Sequence, residues 1–150
     1  MLELKRVDNL DVVVRDYDAM VDFYRNVLGF DFAPNGFVPE KGWAMLECGN
    51  THLVLLSAPD GGSPRNRTPE YWKSPAGFDS LAFEVDDIDE AIAQLDEAGI
   101  RWAGDLVIEG NGEILEAIPE DFDGTWYRFR SFYDPEGNLL HVTEPHLPEA

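Results

Sequence analysis

The chain has 150 residues, enough for one well-buried domain or two small modules sharing a core, and too few for more. With 30 acidic against 11 basic side chains the formal charge is −19, a field that repels phosphate backbones and anionic lipid and so argues against nucleic acid and membrane partners. No apolar run approaches a membrane span, and the start, MLELKRVDNLDVVV, lacks the apolar block and cleavage site of a signal peptide, so the expected location is cytoplasmic.

Leu10 to Val14 (LDVVV) is a β-branched run that predicts a strand, and Asp16-Tyr17-Asp18 supplies oxygens to cap a helix. Met20, Val21, Tyr24, Val27 and Leu28 form one apolar stripe on that helix, which Gly29 ends. Phe30 to Phe32 begins a second strand, Pro34-Asn35-Gly36 predicts a turn, and Trp43 to Glu47 and His52 to Leu56 predict two strands around Gly49-Asn50. The lone Cys48 has no disulfide partner and is expected to be a buried, inert thiol. Ala58 to Gly77 is rich in Gly, Pro, Ser and Asn and reads as a long linker, in which Tyr71 and Trp72 serve either as a lid or as pins to the surface.

The pattern then repeats. Leu81 to Val85 predicts a strand, Asp87-Ile88-Asp89-Glu90 a capping box, and Ile88, Ala91, Ile92 and Leu95 a helical stripe ending at Ala98-Gly99. Arg101 to Ile108 is the next predicted strand, followed by an acidic, Gly-containing connection from Glu109 to Thr125. Trp126 to Glu144 reads as a hairpin around Asp134-Pro135-Glu136-Gly137-Asn138. Val14-Arg15-Asp16 matches Val85-Asp86-Asp87 at a spacing close to half the chain, so the two halves are copies of one unit.

These elements predict an α+β fold of two tandem βαβββ modules that form a curved mixed sheet with helices on the convex face, leaving the concave face to a ligand. The expected organisation is a single domain over residues 1–150, with module 1 at about 5–58, a linker at about 59–77 and module 2 at about 78–146. Alternation places Tyr127, Phe129, Ser131 and Tyr133 on the concave face with His141 and Thr143, a surface suited to a planar or partly apolar molecule. Arg128 and Arg130 then fall on the helix-covered face, where they need acidic partners, unless a bulge reverses them into the pocket.

Three stretches, LDVVVRDYDAMVDFYRNVLGF, LAFEVDDIDEAIAQLDEAGI and FYDPEGNLLHVTEP, resemble the vicinal oxygen chelate superfamily, which includes glyoxalase I, methylmalonyl-CoA epimerase, fosfomycin-resistance enzymes, extradiol dioxygenases and bleomycin-binding proteins. The resemblance covers nearly the whole chain and implies up to four inward positions around a divalent metal, usually filled by His, Gln or Glu. These fall on Asn9, Leu55, Ser80 and His141, a set in which Leu cannot coordinate and Asn and Ser are weak ligands. The expectation is therefore a small-molecule-binding relative with no cofactor. Asn9, Asp11, Leu55, Ser80, Tyr127, Phe129, Ser131, Tyr133, His141 and Thr143 would contact an aromatic or cationic organic compound, and His141 is the candidate for any acid–base role. The alternative is a metal-dependent lyase, isomerase or ring-cleaving dioxygenase with a shifted site of His141, Asp11 and Glu84. Family members of this length also imply a homodimer, for which Trp102 or Trp126 offers apolar surface.

Overall fold

The first β-branched run forms β1 (Asn9–Val14), and Asp16 caps the following helix, α1 (Tyr17–Asp22), by accepting from the Ala19 amide at 3.1 Å. The structure is a computed structural model that describes residues 1–58, 60, 67–73 and 76–148. The stripe expected on one regular helix continues from α1 into a π-helical segment, Phe23–Val27, and the chain turns at Gly29 with φ 77°. Met20, Phe23 and Tyr24 are buried, with Tyr24 edge-to-face against both Phe23 and Phe30.

Next come β2 (Asp31–Val38), a short 3-10 turn (Pro39–Lys41), β3 (Trp43–Cys48) and β4 (Thr51–Ser57). They assemble in the order β1-β4-β3-β2, with β1 parallel to β4 and the other pairs antiparallel. Pro34-Asn35-Gly36 does not reverse the chain as expected. It lies inside β2, where the pairing with β3 slips between Phe32 and Phe37. Glycine is required at 36, because a Cβ there would stand 2.9 Å from both the Cβ and the carbonyl oxygen of Met45.

The second copy builds β5 (Ser80–Glu84), α2 (Ile88–Glu97), β6 (Arg101–Trp102), β7 (Val107–Gly110), β8 (Glu113–Leu115), β9 (Trp126–Tyr133) and β10 (Leu139–His146). Asp87 caps α2 by accepting from the Glu90 amide at 3.0 Å. The strand expected over 101–108 is split into β6 and β7, both paired with β9, and the acidic connection after it contributes β8. The sheet order is β5-β10-β9-β7-β8, with β5 parallel to β10. Asp134 locks the β9–β10 turn by accepting from the amides of Glu136 and Asn138 at 2.9 and 3.0 Å, while Gly137 takes φ 82°.

The chain divides into two compact units, Met1–Pro64 and Arg65–Ala150, each a mixed sheet with its helix, so the fold is α+β and built of two sheet modules. In each unit one sheet face is covered by the helix. In the first, Val14, Ala44, Leu46, Leu53 and Leu55 are buried on it; in the second, Phe132, Leu140 and Val142 are buried with Ile88 and Leu95 of α2. Among the described residues no helix is long and apolar enough to cross a membrane.

Five side chains settle differently from their sequence reading or resolve an open one. Cys48 is exposed rather than buried, since it ends β3 at the Gly49-Asn50 turn. Tyr71 and Trp72 sit in a 3-10 turn, packed edge-to-face on each other and 69% and 67% exposed, so neither ring is buried against the described residues. Linker residues 59, 61–66 and 74–75 lie outside the described residues. Arg128 and Arg130 do lie on the helix-covered face. Arg128 pairs with buried Glu144 and with Asp89 of α2, and Arg130 donates from Nε to the Gly104 carbonyl while its guanidinium covers the Trp102 ring at 3.9 Å.

Candidate functional site

The face of the second sheet turned away from α2 is set by the pairing register. His141 stands opposite Ser131 on β9 and Ala82 on β5; Thr143 stands opposite Phe129 and Glu84; Leu139 stands opposite Tyr133 and Ser80. Alternation therefore brings Ser80, Glu84, Tyr127, Phe129, Ser131, Tyr133, His141 and Thr143 onto one face, as the sequence predicts. Ser80 and Glu84 are exposed on β5, which is the sheet edge, and Tyr127 is 37% exposed.

His141 is the best-braced polar group there. Its Nδ1 is 2.7 Å from the hydroxyl of Ser131, a residue only 3% exposed, and the Phe129 ring stands edge-to-face against the imidazole with centroids 6.0 Å apart. Nε2 has no hydrogen-bond partner among the described residues. Burial lowers the imidazole pKa below its ordinary value, and the nearby Asp79 carboxylate offsets only part of that, so the ring is neutral at neutral pH. Asp79 itself lies 3.7 Å from the guanidinium of buried Arg67. The Tyr133 hydroxyl donates to the Arg67 carbonyl at 3.0 Å, which fixes the ring at one end of the face.

A cation does reach this face, and the sequence reading missed it. Arg101 pairs with Tyr133 across β6 and β9, and its guanidinium lies 4.5 Å over the Tyr133 ring. The signal lies at the start of the strand over 101–108, where Arg101, two residues past Gly99, is the first strand position.

In the first unit the register corrects one assignment. Leu55 pairs with Val12, is fully buried and belongs to the helix-covered core, so it is no ligand position. The open face carries Asn9, Asp11 and Val13 of β1 with His52, Val54 and Leu56 of β4, and the place assigned to Leu55 belongs to Val54, one residue earlier. A one-residue slip in a strand exchanges the two faces. Asn9 donates its side-chain amide to Asp11, so neither group is idle. His52, two residues before Val54 and hence on the same face, was also missed; its Nε2 is 3.6 Å from Glu47, and its Nδ1 is buried with no hydrogen-bond partner among the described residues.

A sequence profile of glyoxalase-type proteins matches residues 6–142, nearly the whole repeat. The chain belongs to the Glyoxalase/Bleomycin resistance protein/Dioxygenase superfamily. Within or beside it, an ethylmalonyl-CoA/methylmalonyl-CoA epimerase from Cereibacter sphaeroides is 33% identical over 125 residues, covering 79% of this chain and 92% of the epimerase. A glyoxalase family protein from Enterococcus faecalis superposes with a TM-score of 0.65 at 27% identity, covering 93% of this chain and 98% of that one. TnmS3, an antibiotic binding protein from Streptomyces sp. CB03234, superposes with a TM-score of 0.61 at 23% identity over 97% of this chain and 100% of that one, a likeness of fold alone.

The superfamily's divalent metal does not fit the residues found at the mapped places. They supply an amide already engaged by Asp11, the aliphatic Val54, the hydroxyl of Ser80 and one imidazole held by Ser131. Taken residue by residue, only the imidazole is a strong donor for a divalent ion. Among the described residues no three His, Cys, Asp or Glu side chains are grouped as metal ligands.

Proposed function

We propose that this superfamily member binds a small organic molecule with a planar part on the open face of its second unit, by shape and desolvation and not by metal chelation. The observation that carries the reading is His141, a buried-edge imidazole braced by Ser131 and flanked by Phe129, on a face that also presents Tyr127, Tyr133 and Thr143. Rigid aromatic surface with a few oriented polar groups is the usual composition of such sites. Ser80 adds a hydroxyl from β5, and the superfamily's fold also serves a protein described as antibiotic-binding.

A second reading is supported by the 33% identity to the epimerase: an isomerase or related enzyme in which His141 works with a carboxylate such as Glu84 on the same face. A thermal-shift screen across divalent metals and across cationic, anionic and neutral aromatic compounds separates the two. Binding without metal predicts that some aromatic compounds raise Tm by several degrees, as about 3 kcal/mol of linkage at a hundredfold excess over Kd implies, and that the rise is lost in Phe129→Ala. A rise with divalent metals and none with any aromatic compound supports the enzyme.

A further inference from the structure

The hydrogen bond between Ser131 and His141 bears on where the imidazole carries its proton. Ser131 is 3% exposed, and His141 Nδ1 is the only hydrogen-bond partner of its hydroxyl among the described residues. If Nδ1 carried a proton and donated it to Ser131, the serine proton would be left buried with no acceptor. If the hydroxyl donates to an unprotonated Nδ1, both groups are satisfied and the ring proton resides on Nε2. A buried donor without an acceptor costs about as much as a lost hydrogen bond, which weights the second arrangement by roughly tenfold or more.

We propose that Ser131 holds His141 as the Nε2–H tautomer, so that the open face of the second unit presents a neutral N–H donor, and that the ligand group met there is a hydrogen-bond acceptor oxygen. This rests on the proposed binding reading and narrows its ligand class to carbonyl or carboxylate compounds. A cationic ligand does not suit this side chain, because an ammonium group brings only donors to a donor. Arg101, over Tyr133 in the next row of the same face, adds a second group complementary to oxygen. Held in this tautomer, His141 offers Nε2 neither as a metal ligand nor as a base. Either role needs the lone pair that the proton occupies, and freeing it would strand the Ser131 proton. Ser131 is thus a positioning residue, acting on the ligand through His141.

The test is a long-range proton–nitrogen NMR correlation on the full chain with labelled histidine at neutral pH, His141 being assigned by the loss of its signals in His141→Gln. The expected pattern shows a protonated Nε2 and an unprotonated Nδ1 with little exchange. In Ser131→Ala the two tautomers should mix, and in Ser131→Thr the original pattern should return, which a purely structural role for Ser131 would not produce. Protonation of Nδ1 in the unaltered protein overturns the inference. Adding millimolar benzoate, acetophenone or benzylammonium in turn should move the Nε2 proton signal with the first two and not the third. A larger shift with benzylammonium overturns the acceptor assignment. No shift with any probe removes both that assignment and the binding reading of this face, while the tautomer result stands or falls separately.

Discussion

The two units share a frame down to its irregularities, yet equivalent places hold different chemistry. In both, the strand after the helix loses step with its neighbour: β2 slips against β3 between Phe32 and Phe37, and the matching strand breaks into β6 and β7 along β9. In both, an aspartate caps the helix and a glycine with positive φ follows it. The first unit has Asn9 and Val54 where the second has Ser80 and His141. Three residues further along the closing strand, the first unit has Ser57 where the second has Glu144, only 6% exposed, bonded to the Ile88 amide and by three hydrogen bonds to Arg128. A repeated backbone therefore dictates where a side chain points, and substitution alone decides whether that place holds a core, an ion pair or a site.

Breaking that contrast is expected to have its largest effect at Glu144. Glu144→Ala leaves Arg128 partly buried beside Asp89 alone and should cost about 3–5 kcal/mol in urea unfolding, whereas Ser57→Ala should cost less than about 1 kcal/mol. Leu55→Ala, in the first unit's core, should cost about 2–5 kcal/mol, while Asn9→Ala on the opposite face of the same sheet should stay within about 0.5 kcal/mol; equal losses would contradict the register.

Acid sharpens the same comparison. Burial alone would raise the Glu144 pKa, but the Ile88 amide, His146 and Arg128 outweigh it and hold the carboxyl at about 2, below its ordinary 4.5. A depressed carboxylate stabilises the fold above its unfolded pKa and loses that contribution as pH falls through its folded one. About 3 kcal/mol should disappear between pH about 5 and about 2, measured by denaturation across that range, and Glu144→Gln should flatten the slope. The smallest effect is at Cys48, whose exposure predicts thiol labelling in the folded state without loss of Tm.

Much of this was legible because local signals agreed. Strand alternation, the two aspartate caps and the DPEGN turn placed β9, β10 and the His141 face correctly, since period-2 order needs no tertiary information. Pro34-Asn35-Gly36 misled because turn residues also mark bulges, and only the Met45 contact distinguishes them. Leu55 was misassigned because LVLL is apolar at every position, so its sequence carries no phase, and the pairing with β1 supplies it. Arg101 and the Ser131 contact depend on cross-strand neighbours, which a single strand's sequence does not contain.

Binding by shape requires no resident metal ion. Metal analysis of the purified protein tests it most directly, alongside His141→Ala. The account predicts far less than one divalent ion per chain and no difference between the two proteins. About one tightly bound ion per chain, lost in His141→Ala, would contradict it.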